Sequence, residues 1–489
     1  GTDTETVAIT VNEVNDAPTR VGVATVTVAA IAEDNSDPDG VVVGVGTGEL
    51  LNGKFSDATD NVSGGSSADN YAGIAITANA ANAGTQGVWQ YSTDSGSTWT
   101  NLPAVSTTSA FVLAAGDMIR FLPVANYNGT PGSLTVRLIE DSSGTVTTGS
   151  TVNVTTSGGT TQYSNASNTL TIGTSVTGVN DAPVITAADT TVSVNEDASL
   201  TFSAANSNAI TVNDPDISTN NLQVTLSVSH GTLTLGSTTG LDSLSGNGTA
   251  TVTFQGTQAE VNAALSGLVY TPTGDYNNDG TGPHDTLTVT VSDQGYSGSG
   301  GTGTDTQTVD ITVNQVNDAP TRLTSSVTVP SISEDSTDPS GVVLGTLYTG
   351  VFSDATDNVA GGSSVDSFAG IAIATNNANA TTEGTWQYST DGGSHWTSIS
   401  TTVSTSSALV IAATDMIRFL PVADFDGTPG TLVTRLIEDS SGTVTTGSIV
   451  DVTTSGGTTQ YSNLSNAVTV TTSVTGVNDA PVITAADTT

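Results

Sequence analysis

The sequence predicts an all-β chain, a series of two-sheet β-sandwich domains joined end to end. Three observations lead there. Short stretches alternate apolar, mostly β-branched residues with polar ones, as in "TVDITVNQV" (Thr308–Val316), "TLTVTVSD" (Thr286–Asp293) and "ATVTF" (Ala250–Phe254). That alternation is the period of a strand with one buried and one wet face. The pentapeptide "VNDAP" occurs at Val14–Pro18, Val179–Pro183, Val316–Pro320 and Val477–Pro481, at spacings the size of a domain. Between successive copies lie seven or more short alternating segments separated by Gly, Asn, Asp and Pro, the pattern of a sandwich.

The repeats set the domain order. "WQYSTDSGSTWT" (Trp89–Thr100) matches "WQYSTDGGSHWT" (Trp386–Thr397), and "DMIRFLPVANYNGTPG" (Asp117–Gly132) matches "DMIRFLPVADFDGTPG" (Asp415–Gly430). The chain therefore divides into a long repeat (19–181), a short one (182–318) and a second long one (319–479). Residues 1–18 match Gly303–Pro320 and are expected as the last strand and linker of a preceding short repeat. Residues 480–489 are expected as the first strand of a following one, so the chain reads as a length of a longer alternating array. Both repeat types share landmarks in one order. Each opens on Glu-Asp (Glu33-Asp34, Glu196-Asp197, Glu334-Asp335). Each carries Pro-x-x-Asx-aromatic-Asx (Pro123–Asn128, Pro272–Asn277, Pro421–Asp426). Each has a late strand ending in acid before Gly ("LIEDSSG" at Leu138–Gly144 and Leu436–Gly442, "TVSDQG" at Thr290–Gly295). Shared landmarks predict one fold with different loops. One helix is expected, in "GTQAEVNAALSGL" (Gly256–Leu268), with Thr257 as N-cap, Glu260 three residues on, and Val261, Leu265 and Leu268 on one face.

Composition limits the function. The chain has 489 residues, 7 basic against 47 acidic, and a net charge of −40. Nucleic acid and anionic membrane both demand a positive face, so neither is an expected partner. Cations are, because a surface this acidic repels itself until counter-ions neutralise it. There is no cysteine, hence no disulfide and no Cys-based zinc site. No apolar run is long enough for membrane insertion, and the N-terminal residues lack the basic start and apolar block of a signal peptide. Lys54 is the single lysine, which excludes a Lys–Asn cross-link in every repeat.

The pentapeptide places oxygen-bearing side chains at a domain seam. Pro fixes φ and biases the preceding residue toward extended geometry, so "DAP" is a stiff exit from a strand. Ca²⁺ takes six to eight oxygen ligands, and a seam collecting acids from both neighbours supplies them. The combination of "ITVNQVNDAPT", "TVTVSDQG" and "VNEDAS" resembles cadherin-like repeats, and more closely those arrayed in giant bacterial surface adhesins and other repeat-rich secreted proteins. The resemblance implies an extracellular location on a bacterial surface, inter-domain Ca²⁺, and neighbouring repeats of the same long chain as partners. Carried over by position, it implies that Glu33, Asp141, Asn180, Asp181, Asp214 and Asp216 serve the seam before the short repeat. Glu196, Asp293, Asn317 and Asp318, with Asp354 or Asp357, serve the seam before the second long repeat. Glu13, Asn15, Asp16, Asp57 and Asp60 belong to the first seam, and Glu334, Asp439, Asn478 and Asp479 to the last. The first Asp of the cadherin linker pattern is replaced here by Glu13, Gly178, Gln315 or Gly476, and the seam with Gly178 is expected to be the weaker.

Other motifs read as structural. "STDSGSTW" (Ser92–Trp99) and "STDGGSHW" (Ser389–Trp396) match the Asp-box pattern, a turn closed by Asp94 with Trp99 expected to pack inward. Trp89, Tyr91 and Trp99 are the alternative sugar-stacking platform, which would make glycans partners. His395 stands where the sister repeat has Thr98. Glu140 and Glu438 each adjoin an Asp, but adjacent strand residues point to opposite faces and cannot face one another across a glycosidase cleft. No catalytic set is expected. Arg120, Arg137, Arg418 and Arg435 are expected to pair with local acids. The principal expectation is a Ca²⁺-stiffened extracellular stalk or adhesin segment. The alternatives are a subunit of a self-assembling filament or sheath made with like chains, and a glycan-binding module.

Overall fold

The structure is a computed structural model that describes residues 1–278, 283–296 and 298–481. It is all-β, with three two-sheet sandwiches in sequence, as expected. In the short repeat one sheet has six strands in the spatial order Thr191–Asn195, Thr304–Asn314, Asp285–Ser292, Leu222–Ser227, Thr251–Gly256, Ser243–Ser245. The facing sheet holds Leu200–Phe202, Leu268–Pro272 and Gly231–Thr234. Alternation is strict in Leu222–Ser227 and Asp285–Ser292, where every second side chain is buried. Leu222, Val224, Leu226, Leu287, Val289 and Val291 meet Phe202, Phe254 and Tyr270 between the sheets.

The first long repeat keeps this order for five strands, while its sixth comes from the loop after Leu134–Glu140 instead of preceding its neighbour in the chain. Its six-stranded sheet runs Thr25–Thr27, Leu170–Gly173, Leu134–Glu140, Tyr71–Asn79, Ala110–Ala114, Thr151–Val152, and Val41–Val42, Met118–Pro123, Gly87–Ser92 and Thr100–Asn101 form the other sheet. The second long repeat copies it strand for strand. Two pairings orient every unit. The first strand runs parallel to the last, Thr191–Asn195 beside Asp310–Asn314 and Thr25–Thr27 beside Thr171–Gly173. The penultimate strand, Asp285–Ser292 or Leu134–Glu140 (the two-residue edge strand Thr151–Val152 aside), is antiparallel to the last.

The added length of the long repeats covers a second face of the sheet. In Tyr71–Asn79 and Leu134–Glu140 alternation is lost because both faces are buried. Ile74, Ile76, Leu134, Val136 and Leu138 fill the main core with Trp89 and Phe121. Ala75, Ala110, Val112 and Ile139 face outward, under Val146, Val154 and Tyr163 from the loop after the penultimate strand. Trp89 packs edge-on to Phe121, and its Nε1 donates to the Gly132 carbonyl at 2.9 Å.

The expected helix spans Gln258–Leu265, with both reciprocal bonds of the capping box between Thr257 and Glu260. Leu268 lies beyond it and opens the next strand, because Gly267 takes φ +87° and turns the chain. A one-turn helix at Leu344–Leu347 and short 3-10 turns at Ala166–Asn168 and Leu464–Asn466 were not expected. Residues 1–18 form no strand. Glu5–Val11 has no neighbouring strand to bond, and Val7, Ile9 and Val11 are exposed. The strand expected in residues 480–489 falls almost wholly outside the described residues. Among the described residues no helix is long and apolar enough to cross a membrane.

Gly132 tests the core. A Cβ there would stand 2.1 Å from the backbone of Ala80, beside the carbonyl that receives Trp89. Gly132→Ala is expected to destabilise the repeat by about 1–3 kcal/mol, read from urea unfolding followed by tryptophan fluorescence. An unchanged midpoint would contradict this packing.

Candidate metal sites at the domain seams

The strand directions decide which acids meet at a seam. The opening Glu follows a first strand that runs parallel to the last, so it reaches the pole where the chain leaves the domain. There it accepts a linker amide: Val179 N–H to Glu33 Oε1 at 2.6 Å, Val316 N–H to Glu196 Oε1 at 2.6 Å and Val477 N–H to Glu334 Oε1 at 2.5 Å. The second Asx of the Pro-x-x-Asx-aromatic-Asx motif joins it. Asn128 Nδ2 donates to Glu33 at 3.2 Å and Asn277 Nδ2 to Glu196 at 2.9 Å. Thus Glu33, Glu196 and Glu334 lie where the sequence placed them, each on its own outgoing linker.

The strand-end acids lie at the opposite pole from the one expected. Asp141, Asp293 and Asp439 were assigned to the exit of their own domains. An antiparallel penultimate strand must end at the entry pole, where it meets the preceding linker. Asn180 Nδ2 donates to Asp293 Oδ2 at 2.6 Å. In the long repeats the linker Asn reaches the preceding Glu instead, Asn15 Nδ2 to Glu140 Oε1 and Asn317 Nδ2 to Glu438 Oε1, both at 2.7 Å. Asp141 and Asp439 point outward and accept the Asn70 and Ser367 amides at 2.8 and 2.7 Å. Glu140 and Asp141 thus face away from each other, as adjacent strand residues do.

The two seams that enter long repeats are built alike. At the first, Asp16 N–H donates to both oxygens of Asp60 at 3.1 and 3.0 Å, and Asp57 takes the Asp69 amide at 2.6 Å. At the third, Asp318 N–H reaches both oxygens of Asp357 at 3.2 and 3.3 Å, and Asp354 takes the Asp366 amide at 2.6 Å. Two acid triads result, Asp57–Asp69–Glu140 and Asp354–Asp366–Glu438, each with carboxylate oxygens within 4.8 Å of one another. Asp57, Glu140, Asp354 and Glu438 are buried. Asp57 Oδ1, Glu140 Oε2, Asp354 Oδ1 and Glu438 Oε2 are buried without a hydrogen-bond partner. Asp69, Asp366, Glu140 and Glu438 were not among the expected ligands. Parity would have found the glutamates: Leu138 faces the main core and Ile139 the outer cluster, so Glu140 turns inward again. Asp69 and Asp366 come from a loop that carries no periodic signal.

Burial dominates the electrostatics. It pushes Glu140 and Glu438 up to about 7, against a partial lowering by the linker Asn amides. Asp357 is raised to about 7 by burial and then by Asp354, Asp318 and Asp366 around it. Asp318 is raised to about 6 by burial, with Asp197, Asp275, Glu196 and Asp354 adding repulsion. No ion pair among the described residues involves a seam acid.

The seam entering the short repeat differs. Asp181 N–H donates to Asp216 Oδ2 at 2.8 Å, and Asp216 N–H to Asp214 Oδ1 at 3.2 Å. Burial raises Asp181 and Asp214, and both have a buried, unpartnered Oδ2. No close carboxylate triad forms there among the described residues. Instead the linker bonds directly to a loop of the short repeat, Asn180 N–H to Ser299 O at 2.8 Å and Ser299 N–H to Gly178 O at 3.1 Å. At the last seam Asp479 meets Asp335 and Asp424 in an exposed group; Asn478 is exposed, its Nδ2 directed at the Asp479 carbonyl. Glu13 is exposed and lies outside the first triad.

The triads fit a hard divalent cation. They offer only oxygen, which suits Ca²⁺, Mg²⁺ or Mn²⁺ over softer metals. Two oxygens on opposite sides of one Ca²⁺ stand about 5 Å apart, close to the spread found here. The inward oxygens are satisfied by no amide or hydroxyl, and within each pair, Asp57 with Glu140 and Asp354 with Glu438, only a proton shared between the two carboxyls could bond them.

The tryptophan hairpins serve the fold. Trp89 and Trp386 are core residues. Trp99, expected to pack inward, is only half-buried because its ring lies under the Arg120 guanidinium, 4.2 Å from the centroid. Arg120 is in turn held by Asp37 at 2.5 Å, Gln90 Oε1 at 2.8 Å and the Pro38 carbonyl at 2.9 Å. Arg418 repeats this with Trp396 and Asp338. Arg137 differs from the expected acid pairing and donates to the Asn165 carbonyl at 2.6 Å. His395 takes over the role of Thr98: each bonds the Asp-box carboxylate, His395 Nδ1 to Asp391 at 2.5 Å and Thr98 Oγ1 to Asp94 at 2.6 Å.

No protein-family profile matches the chain, and no curated protein matches it. Among solved structures it is similar to human CDH23 EC21-23, at 14% identity over 94% of this chain and 99% of that one, with a TM-score of 0.39. It is similar to mouse cadherin-23 EC22-24, at 12% identity over 95% and 100%, with a TM-score of 0.34. It is also similar to the protocadherin gammaB7 EC3-6 cis-dimer structure, at 10% identity over 92% and 72%, with a TM-score of 0.37. What defines the fold of each unit here is its own strand order.

Proposed function

We propose that the acid-lined seams hold Ca²⁺ and that the chain is a stiffened stretch of an extracellular stalk or adhesin, part of a giant repeat protein on a bacterial surface. The supporting observation is the pair of buried, facing carboxylates at each seam that enters a long repeat, Asp57 with Glu140 and Asp354 with Glu438, with unpartnered oxygens turned inward. Two buried carboxylates cannot both ionise unless positive charge lies between them, and no basic side chain is there. Asn317 and Asp318 stand between these acids and Glu196 of the preceding repeat. A cation coordinated by the triad and the linker would tie the incoming repeat to the outgoing one. Sites of about 10⁻⁴–10⁻³ M affinity are enough outside a cell.

Three outcomes are expected. Small-angle scattering should give a smaller maximum dimension in chelator than in millimolar Ca²⁺; an equal dimension would refute stiffening. In chelator, stability should fall with rising pH. The folded-state values of Glu140, Glu438 and Asp357 stand at about 7, above the ordinary carboxylate range. Their contribution is complete below about pH 4 and is lost as pH rises through about 7. Calorimetric melting should therefore be higher at pH 5 than at pH 8 without Ca²⁺, and Ca²⁺ should close that gap. A flat profile, or one Ca²⁺ leaves unchanged, contradicts the assignment. Finally, Glu438→Gln should raise the melting temperature in chelator by about 2–4 °C, as ~1 kcal/mol does in a domain this size, while reducing the rise produced by Ca²⁺. A variant that melts lower in chelator, with the Ca²⁺ response intact, would remove Glu438 from the site.

A further inference from the structure

The seam between the short repeat and the second long repeat carries a contact that involves no ion. Asn277, at the end of the Pro272–Asn277 motif, is 1% exposed. Its Nδ2 donates to Glu196 Oε2 and to Ser363 Oγ, both at 2.9 Å. Its Oδ1 accepts the Ser363 N–H at 2.7 Å. The Ser363 hydroxyl in turn donates a hydrogen bond to the Asp357 carbonyl at 2.6 Å. One amide is thus bonded on both edges, and a chain of hydrogen bonds runs from the opening Glu of one repeat to the entry loop of the next.

The receiving loop is shaped for this. Val359 N–H bonds to the Asp357 and Ser363 carbonyls, both at 3.2 Å, and Gly362 N–H to the Val359 carbonyl at 3.0 Å. A Cβ on Gly362 would lie 2.0 Å from Asn277 Oδ1 and 2.6 Å from its carbonyl oxygen. Glycine at this position lets the backbone approach the amide. The first long repeat has the same loop, with the same bonds: Val62 N–H to the Asp60 and Ser66 carbonyls at 3.1 Å and Gly65 N–H to the Val62 carbonyl at 3.0 Å. There a Cβ on Gly65 meets only Val62, at 3.6 Å or more. The loop therefore takes its shape without an Asn against it and is a preformed receptor.

We infer that the Gly361–Gly362–Ser363 loop is a docking site for the side-chain amide of Asn277, a latch between the short repeat and the following long repeat that forms whether or not the seam contains a cation and adds to, without replacing, a cation's hold on the joint. The latch selects its partner. It needs a planar group that donates on one edge and accepts on the other, which an amide does and a carboxylate does not. The corresponding residue of the second long repeat is Asp426, so the outgoing pole of that repeat cannot engage such a loop in the same way.

Hydrogen exchange of the full chain in chelator tests this, because the two loop copies are internal controls for each other. The Ser363 amide should exchange about fivefold more slowly than the Ser66 amide, since one buried hydrogen bond is worth roughly 1 kcal/mol. Asn277→Asp and Gly362→Ala should each erase the difference, while Gly65→Ala, in the copy with no amide against it, should leave Ser363 protected. Equal exchange at Ser363 and Ser66 in the parent chain, or protection of Ser363 that survives Asn277→Asp, would overturn the latch. Because every measurement is made without Ca²⁺, failure of the cation reading would leave the result intact.

Discussion

Buried carboxylates without basic partners govern the seams. The chain has 7 basic residues against 47 acidic ones, and its arginines are used inside the repeats. Arg120 and Arg418 clamp Asp37 and Asp338 and cover tryptophans; Arg137 holds a backbone carbonyl. None reaches the triads. Desolvating a carboxylate costs several kcal/mol unless something compensates, so neutrality there must come from a proton or from an ion supplied by solvent. Near neutral pH a divalent cation would compensate better than a proton, because it can satisfy several oxygens at once. The stiff "DAP" exit, the glutamate that grips the outgoing linker, and the aspartates that grip it from beyond all place oxygens around that point.

Strand existence was legible in the short repeat because its sheets bury one face each, and Thr and Val alternate cleanly in Leu222–Ser227 and Asp285–Ser292. In the long repeats the six-stranded sheet is buried on both sides. Strands such as Ala110–Ala114 then read as continuous apolar runs whose direction and partner the pattern does not reveal. The repeated landmarks supplied what periodicity could not: both repeat types share the order of five strands in the larger sheet.

For the site, the opening glutamates Glu33, Glu196 and Glu334 stand at the exit pole because the first strand runs beside the last and in the same direction. Asp141, Asp293 and Asp439 stand at the entry pole and not at the expected exit, because the strand that carries each returns antiparallel to the last, a direction that alternation does not encode. Asp181 with Asp214 and Asp216, Asp318 with Asp357, and Asp16 with Asp60 do meet across their seams. Glu140 and Glu438, read in the sequence only as neighbours of an Asp with which they cannot form a glycosidase pair, are the buried, inward members of those pairs. Asp69 and Asp366 approach Asp57 and Asp354 only through loop closure, which no periodicity encodes. The two seam types also differ in a way sequence did not show. Joints entering long repeats gather close acid triads, whereas the joint entering the short repeat adds backbone bonds between its linker and Ser299.

Isothermal titration of the chelator-stripped chain with Ca²⁺ at pH 7.5 is the most direct test of charge compensation at the seams. The account predicts saturable uptake in the range of about 10⁻⁴–10⁻³ M, accompanied by proton release from the raised carboxyls and weakened when Glu140 and Glu438 are both changed to Gln. Absence of saturable heat, or uptake indifferent to those two changes, would contradict it.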